Sequence, residues 1–405
     1  MKSLVEAYRA LSDVYLKGSW VGEAVKRYPA LLSDKGAYRL VYSVVEREFL
    51  SEYRIARLTE NSPKPAVKLL LKMGMVLLDE FSAPDHAAVN AVAETAKKVG
   101  KGGVCGFVNA VLRRYAKEGK TLYPTDPEEL LSVKTNRPLW LVKRYKKELG
   151  DRAEARLCET VTVKTHLRPA VAFGKDALRE ALKNKNIAFE ETEYGFYVGE
   201  VGAVSDLLKD GKATVMSYGS AEVCESVPYT GGKILDLCAA PGGKSVFLAE
   251  KHQAEVIACD LYEHRVELIE KYAVRMKVST VKPTVWDGTR LKEEWKKSFQ
   301  TVLADVPCSG FGSLASNPDV VLNRKESDLA AIIKTQKQLI ATAAEYVAPG
   351  GALVYATCSD LPSEDEDVVR WLLKTREDFS LEKQKYTDPA QGGGECYYFA
   401  VLRKK

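Results

Sequence analysis

The sequence predicts an α/β fold with a mainly parallel, Rossmann-like sheet, preceded by an all-helical domain and a small α+β subdomain. Three observations support this prediction. Apolar residues repeat at helical spacing through residues 1–125. From about residue 221 onward, short apolar runs alternate with helical patterns, which is typical of a parallel sheet covered on both faces. The first of these runs leads into a glycine turn at the start of a helix.

Length and composition describe an ordinary globular protein of two or three domains. The chain has 405 residues, of which 46% are hydrophobic and 28% are charged. We predict an all-helical domain over residues 1–125, a small α+β subdomain over 126–220 and an α/β domain over 221–405. The segment Tyr123-Pro124-Thr125-Asp126-Pro127 has the composition of a linker at the first boundary.

Four predicted helices in the first domain carry an apolar stripe on one face, which predicts a helical bundle with a buried core. The stripes are Leu4, Tyr8, Leu11 and Tyr15; Leu40, Val41, Val44, Val45 and Phe49; Leu70, Leu71, Met75 and Leu78; and Phe107, Val108, Val111, Leu112 and Tyr115. Stripes of this kind build a core and indicate no chemistry by themselves.

A local excess of basic residues predicts contact with a phosphate backbone. Residues 101–150 contain 11 Lys or Arg against 5 Asp or Glu, although the net charge of the whole chain is only +5. The candidate residues for this contact lie on two predicted helices and are Arg113, Arg114, Lys143, Arg144 and Lys147. The alternative is an ordinary solvated helix face.

Six strands are predicted for the α/β domain. They are Lys233–Cys238, Glu255–Asp260, Thr280–Val285, Thr301–Val306, Ala352–Thr357 and Cys396–Leu402. A long helix with Ser327 as a candidate N-cap is expected between the fourth and fifth strands.

A glycine turn after the first of these strands predicts a ligand site, because glycine lets backbone N–H groups approach a ligand closely. The turn comprises Cys238, Ala239, Ala240, Pro241, Gly242 and Gly243, and Lys244 follows it. A P-loop would need glycine where Cys238 stands, and the G-x-G-x-x-G pattern of dinucleotide sites is absent. A nucleoside cofactor without a pyrophosphate remains.

Acidic residues follow three successive strands and suit such a cofactor. Asp260 is placed to accept hydrogen bonds from a ribose diol, Asp287 from an adenine amino group, and Asp305 faces the same crevice. The alternative for each of them is a cap or turn at the end of a strand. S-adenosyl-L-methionine fits this set, since it combines adenine, ribose and an amino acid without phosphate.

Two cysteines each follow a predicted strand: Cys308 in Asp-Val-Pro-Cys-Ser-Gly and Cys358 in Ala-Thr-Cys-Ser. Because ligands collect outside the carboxyl ends of such strands, both thiols are expected in one crevice. A thiolate that adds to carbon 6 of a pyrimidine makes carbon 5 nucleophilic, and a second group can then remove the carbon 5 proton. The alternative for either cysteine is a small buried apolar residue.

Residues 235–245, 305–310 and 355–359 resemble the signature of RNA cytosine-5 methyltransferases, a resemblance that covers roughly residues 215–405. Residues 106–114 and 34–38 resemble parts of a NusB-like RNA-binding domain. The combination is similar to bacterial methyltransferases of small-subunit ribosomal RNA. This resemblance implies a class I methyltransferase fold, S-adenosyl-L-methionine as cofactor and small-subunit ribosomal RNA as partner.

Spacing alone does not assign roles to the two thiols. DNA cytosine-5 methyltransferases use the cysteine of a Pro-Cys motif, which points to Cys308, whereas the RNA family uses the Thr-Cys-Ser cysteine, which points to Cys358. The closer resemblance implies that Cys358 is the nucleophile and that Cys308 assists proton removal and product release. It also implies that Asp305 holds the base and that Lys244 contacts the cofactor or the base.

Three other functions stay open: a transfer RNA methyltransferase, an inactive RNA-binding assembly factor and a DNA methyltransferase. No metal is expected, because the Cys and His residues lack zinc-site spacing. Ser363 and Glu366 are interpreted as a capping box rather than part of an acidic metal site. Without a signal peptide or an apolar run of about 20 residues, a cytoplasmic monomer with no membrane partner is expected.

Overall fold

The computed structural model describes residues 2–159 and 162–405, and the chain forms two compact units. The first unit comprises Met1–Glu159 and Asn317–Glu326, and the second comprises Thr160–Ser316 and Ser327–Lys405. The predicted helical region lies in the first unit and the predicted α/β region supplies most of the second. The division into three domains at residues 125 and 220 remains a prediction.

The first unit is helical, as the apolar stripes predict. Its helices are α1 (Lys2–Lys17), α2 (Val21–Lys26), α3 (Pro29–Ser33), α4 (Lys35–Glu46), α5 (Glu48–Leu58), α6 (Pro65–Glu80), α7 (Asp85–Lys98), α8 (Cys105–Glu118), α9 (Pro127–Thr135), α10 (Leu139–Leu149) and α11 (Ala153–Cys158). Helix α6 is apolar on nearly all sides and is buried along most of its length, which makes it the central helix of the core.

The second unit begins with a small antiparallel sheet. Its elements are β1 (Thr165–Pro169), α12 (Lys175–Asn184), β2 (Phe189–Glu191), β3 (Phe196–Val198), α13 (Ser205–Lys209) and β4 (Ala213–Val215). The strands are ordered β2-β3-β1-β4, and their apolar side chains pack with those of α12 into a separate small core. The predicted α+β character of this region is confirmed.

A seven-stranded sheet forms the rest of the second unit. In chain order, the remaining elements are α14 (Tyr218–Glu225), β5 (Ile234–Asp236), α15 (Gly243–His252), β6 (Val256–Asp260), α16 (Glu263–Met276), β7 (Val281–Val285), β8 (Phe299–Asp305), α17 (Val320–Asn323), α18 (Glu326–Tyr346), β9 (Val347–Thr357), α19 (Glu366–Thr375), β10 (Phe379–Tyr386) and β11 (Tyr398–Lys404). Helix α17 lies in the segment that belongs to the first unit.

The order of strands in this sheet is β10-β11-β9-β8-β5-β6-β7. Strands β9, β8, β5, β6 and β7 pair in parallel, whereas β11 runs antiparallel to β9 and to β10. Strand β5 lies between β6 and β8, so the chain extends the sheet first to one side of β5 and then to the other. The carboxyl ends of β5 and β8 therefore flank a topological switch point, where α/β proteins bind ligands.

The mainly parallel, Rossmann-like sheet is confirmed, and the six predicted strands each correspond to an observed one. Strand β10 was not predicted, because most of its side chains are exposed and its sequence has no apolar run. The prediction of Ser327 as N-cap is wrong by a residue or more, since α18 already includes Glu326.

The segment Asn317–Glu326 packs into the helical unit although its neighbours in the chain belong to the sheet. The backbone N–H of Val21, the first residue of α2, donates a hydrogen bond of 2.6 Å to Oδ2 of the buried Asp319. The first N–H groups of a helix have no partner within the helix, so this carboxylate acts as a cap from a distant part of the chain. Leu322 packs against the core of the same unit. Within the described residues, no helix has the length and apolar character needed to span a membrane.

Candidate active site

The two cysteines singled out by their position after a strand lie side by side. Cys308 follows β8 and Cys358 follows β9, and these parallel neighbours are in register with Asp305 opposite Ala356. The two Sγ atoms are 2.9 Å apart. Cys308 is buried, with 9% of its surface exposed, and Cys358 is half-buried. The crevice at the end of the sheet therefore contains a close pair of thiols.

The pKa of Cys308 is raised well above its ordinary value. Its hydrogen bond with Cys358 is the largest cause, burial of the sulfur comes next, and the negative charge of Glu364 adds to both. Cys308 is therefore the thiol that retains its proton while the two sulfurs are in contact.

Glu364 is a buried acidic residue of this site that the sequence did not single out. Its Oε2 atom accepts hydrogen bonds from the backbone N–H of Ser309 at 2.8 Å and from Nε2 of Gln336 at 3.0 Å. Its Oε1 atom accepts from the hydroxyl of Ser309 at 2.5 Å and from the hydroxyl of Ser359 at 2.8 Å. One carboxylate thus joins the residues that directly follow the two cysteines.

The capping box interpreted from Ser363 and Glu366 is wrong. Helix α19 begins at Glu366, its N-cap is Asp365, and the Asp365 side chain makes no capping hydrogen bond. The preceding residues turn inward, because Glu364 binds the serines and Asp365 accepts a hydrogen bond from the hydroxyl of Thr357 at 2.5 Å. The signal that could have identified Glu364 is the serine that follows each cysteine, since two buried hydroxyls need a common acceptor.

Lys244 and Asp305 form an ion pair at the end of β8, the strand that Cys308 follows. Nζ of Lys244, in α15, lies 2.7 Å from Oδ2 of Asp305 at the end of β8, and it donates to the hydroxyl of Ser220 at 3.1 Å. Nζ also lies 5.1 Å from the centre of the Tyr397 ring. Burial is the largest single influence on the pKa of Lys244 and lowers it, but the charge of Asp305, the neighbouring Tyr397 and the hydrogen bond to Asp305 together raise the pKa above its ordinary value. Lys244 therefore stays protonated and keeps Asp305 in place.

The predicted glycine turn connects β5 to α15 and is held to both neighbouring strands. The backbone N–H of Leu237 donates to the carbonyl of Leu303 at 2.9 Å, and that of Ala239 donates to the carbonyl of Cys259 at 2.7 Å. Gly242 has a φ of 108°, and a Cβ atom there would lie 3.0 Å from Cα of Ile269. This turn therefore brings backbone close to the open end of the sheet in a conformation that only glycine adopts readily.

We expect Gly242→Ala to destabilise the second unit by about 1–3 kcal/mol, because alanine would be strained at this φ and would press against the backbone of α16. Thermal unfolding followed by circular dichroism measures the effect. Gly243→Ala is the matched control, since a Cβ at Gly243 would meet nothing closer than 3.6 Å, at the Tyr272 hydroxyl. Equal melting temperatures of the two variants would contradict the prediction.

The other two acidic strand ends are at the predicted positions, and both make local contacts. Asp260 is buried at the end of β6, and its Oδ2 lies 3.4 Å from Nε of Arg265. Asp287 follows β7 and accepts hydrogen bonds from the hydroxyl and backbone N–H of Thr289 at 2.6 and 3.0 Å. The hydroxyl bond from Thr289 is the largest cause of a lowered pKa at Asp287. The Oδ1 atom of Asp287 thus stabilises the turn after β7, which was the alternative to ligand binding for this residue.

The five basic residues predicted to contact RNA lie in the helical unit. Arg113 and Arg114 are exposed on α8, and Arg114 pairs with Glu118. Lys143 and Lys147 are exposed on α10, whereas Arg144 is half-buried and pairs with Glu148. Their ability to bind a phosphate backbone stays a prediction. Across residues 2–159 and 162–405, no group of three or more His, Cys, Asp or Glu side chains could hold a metal ion.

Two protein families match the chain, one in each unit. The family described as 16S rRNA methyltransferase RsmB/F matches residues 227–398, and the NusB family matches residues 2–117. The first match includes the glycine turn, both cysteines and Glu364. The second includes the basic helix α8 but ends before α10.

Curated relatives match over most of their length. A protein of Bacillus subtilis (strain 168) named "Probable ribosomal RNA small subunit methyltransferase B" is 30% identical over 366 residues, which are 85% of this chain and 82% of the relative. The ribosomal RNA small subunit methyltransferase B of Proteus mirabilis is 27% identical over 426 residues, and the match covers 98% of both chains.

Solved structures share the fold. The crystal structure of PH0851 matches with a TM-score of 0.84 and 22% identity, and the match covers 99% of both chains. The crystal structure of NSun6 from Pyrococcus horikoshii with SFG matches with a TM-score of 0.57 and 18% identity, covering 66% of this chain and 98% of the other.

Proposed function

We propose that this chain, which belongs to the 16S rRNA methyltransferase RsmB/F family, methylates carbon 5 of a cytosine in small-subunit ribosomal RNA. Membership makes the protein an enzyme of the methyltransferase class. The observation that supports carbon 5 of cytosine as the target is the pair of Cys308 and Cys358 sulfur atoms, which lie 2.9 Å apart at the ends of adjacent parallel strands. Covalent activation of carbon 5 is a reaction for which two adjacent thiols are suited.

S-adenosyl-L-methionine is the proposed cofactor. It supplies an electrophilic methyl group when it is bound. The residues present suit this molecule: Gly242, at a positive φ, lets the backbone of the turn come close to a ligand, and Asp260 and Asp287 provide carboxylate acceptors for hydroxyl and amino groups. The remaining turn residues proposed to bind it are Cys238, Ala239, Ala240, Pro241, Gly243 and Lys244. The fold neighbour NSun6 was crystallised with SFG, an analogue of this cofactor, which supports the proposal.

Cys358 is the proposed nucleophile. A thiolate rather than a thiol attacks, and Cys308 holds its proton because its pKa is raised by contact with Cys358 and by burial. The sulfur of Cys358 forms a bond to carbon 6 of cytosine, and the electron pair of the carbon 5–carbon 6 double bond moves towards carbon 5. Carbon 5 thereby becomes a nucleophile towards a methyl group.

Asp305 is proposed to hold the cytosine, with Lys244 as its partner. A carboxylate accepts a hydrogen bond from the exocyclic amino group of cytosine, and it can accept a second one from the adjacent ring nitrogen when that nitrogen is protonated. The ion pair of 2.7 Å with Lys244 fixes the direction of the Asp305 side chain. Because the charge of Asp305 and the hydrogen bond to it help to keep Lys244 protonated despite burial, Lys244 can also contact the reacting base or the cofactor.

Cys308 is proposed to assist the release of the product. After methylation, the proton on carbon 5 must leave, and the carbon 6–sulfur bond must break with its electron pair returning to Cys358. Once Cys358 is bonded to carbon 6, it no longer makes the thiol contact that contributes most to the raised pKa of Cys308. Cys308 can then give up its own proton more readily, and its thiolate accepts the carbon 5 proton at the stage of the reaction that needs a base.

The helical unit is proposed to bind the RNA. Its match to the NusB family and the exposed basic side chains on α8 and α10 support this role. The named relatives are ribosomal RNA small subunit methyltransferases, which favours ribosomal over transfer RNA as the substrate. We propose the cytoplasm, where ribosomal RNA is assembled into subunits in bacteria, as the place of action.

Bisulfite sequencing of cellular RNA, with the gene intact and deleted, tests the proposed function. We expect one or more cytosines in small-subunit ribosomal RNA to lose protection from deamination when the gene is absent, and to regain it when the gene is restored. A change confined to transfer RNA would contradict the proposed substrate. No change at any cytosine would contradict the proposed reaction.

A further inference from the structure

We infer that Glu364 is a positioning residue, whose carboxylate fixes the separation of the two sulfurs by holding the serines that follow Cys308 and Cys358. The inference rests on the proposed function, which gives both thiols a part in the reaction. Glu364 lies in the loop between β9 and α19 and has 0% of its surface exposed. It therefore cannot touch RNA or cofactor, and any effect on the reaction must pass through its neighbours.

The contacts of Glu364 are suited to hold two loops together. The two loops enter from different strands, β8 and β9, and the register of these strands ends at Asp305 and Ala356. Beyond that point the strand pairing ends, although the backbone N–H of Gly312 still donates a hydrogen bond of 3.0 Å to the carbonyl of Cys358, and side chains supply further links between the loops. The bonds from Ser309 and Ser359 to Oε1 of Glu364, at 2.5 and 2.8 Å, bridge the loops where the strand pairing stops.

Gln336 extends the same bridge to the other side of Cys308. Its Nε2 atom donates to Oε2 of Glu364 at 3.0 Å and to the carbonyl of Pro307 at 3.1 Å. The residues before and after Cys308 are thus both attached, directly or through Gln336, to one buried carboxylate. Gln336 is itself fully buried on α18, so the bridge is anchored to a long helix of the same unit.

The four donors around the carboxylate allow geometry and charge to be separated by mutation. Glu364→Gln can keep the bridge, because its amide oxygen accepts from Ser309 N–H and Gln336 while its amide nitrogen donates to serine hydroxyls, which also accept. Glu364→Ala removes the bridge. The double variant Ser309→Ala with Ser359→Ala removes the two hydroxyl bonds to Glu364, together with the bonds that these hydroxyls accept from the N–H groups of Phe311 and Leu361. It leaves two donors to satisfy the carboxylate, which protects folding.

Oxidation by diamide measures the separation of the sulfurs without RNA or cofactor. The reagent takes two electrons and two protons from a pair of thiols and leaves a disulfide, so its rate depends on how closely the sulfurs approach. Linked peptides containing Cys308 and Cys358 are quantified by mass spectrometry. We expect rapid linkage in the unchanged protein and in Glu364→Gln, and linkage at least about tenfold slower in Glu364→Ala and in the double serine variant.

Kinetics provide a readout that a merely structural role would not change. We expect kcat for methylation to fall about 100-fold in Glu364→Ala and in the double serine variant, with KM for RNA and for cofactor unchanged, and Glu364→Gln to retain most activity. Ser43→Ala is the matched control, because it removes a hydrogen bond of 2.8 Å from the buried Ser43 to the half-buried Glu80 in the helical unit. It should leave the linkage rate and kcat unchanged.

The results separate this inference from the proposed function. Linkage rates that stay unchanged in Glu364→Ala and in the double serine variant would overturn the positioning role, as would an unchanged protein that forms no Cys308–Cys358 disulfide. An unchanged protein that links rapidly but methylates no RNA would contradict the proposed function and leave the spacing result intact.

Discussion

Cys358→Ala is expected to abolish methyl transfer, lowering kcat by about 1,000-fold or more, because it removes the sulfur proposed to form the bond to carbon 6. Transfer of tritium from labelled S-adenosyl-L-methionine to small-subunit ribosomal RNA measures the loss. No covalent protein–RNA complex should form with this variant. The protein should remain folded, because a half-buried thiol is exchanged for a smaller apolar side chain.

Cys105→Ala is a suitable control for that experiment. Cys105 is partly buried at the start of α8 in the helical unit, and its Sγ contacts the carbonyl of Ala93 at 3.4 Å. Its loss should leave methyl transfer unchanged. Retention of activity by Cys358→Ala, together with loss of activity and of adduct in Cys308→Ala, would assign the nucleophile to the other thiol.

Cys308→Ala is expected to leave the attack on carbon 6 intact and to block release, so that the protein stays covalently bound to its RNA. The variant keeps the nucleophile but lacks the proposed group for removing the carbon 5 proton, so the carbon 6–sulfur bond persists. A band that migrates more slowly than the 44.8 kDa protein in a denaturing gel, and that disappears after nuclease treatment, measures the adduct.

One further variant and one kinetic measurement make that result decisive. The double variant Cys308→Ala with Cys358→Ala should give no adduct, because the attacking sulfur is gone. Cys308→Ala should also turn over at most once per molecule, so that a burst of methyl transfer is followed by no steady-state rate. Free turnover without an accumulated adduct would show that Cys308 has no part in release.

The sequence predicted the position of a residue correctly where that position depends only on the strand that the residue follows. Parallel strands such as β5 and β8 are buried and read as apolar runs, and their carboxyl ends determine where Cys308 and Asp305 come to lie. The meeting of the two thiols follows from the same rule. The exposed strand β10 lacks such a run, and its pairing with β11 depends on contacts that a local pattern does not contain.

The missed features all depend on contacts between distant parts of the chain. Glu364 stands in an acidic run that matches a capping box, yet its partners include Ser309, 55 residues away. Asp319 lies in a loop after β8, yet it caps α2 at a separation of 298 residues.

The identity of the cysteine bonded to RNA in Cys308→Ala tests the central proposal most directly. The trapped complex is digested with nuclease and protease, and the peptide that carries a nucleotide is sequenced by mass spectrometry. The account predicts that a methylated cytidine is attached to the peptide containing Cys358. A nucleotide on any other peptide, or a trapped complex with no covalent bond, would contradict it.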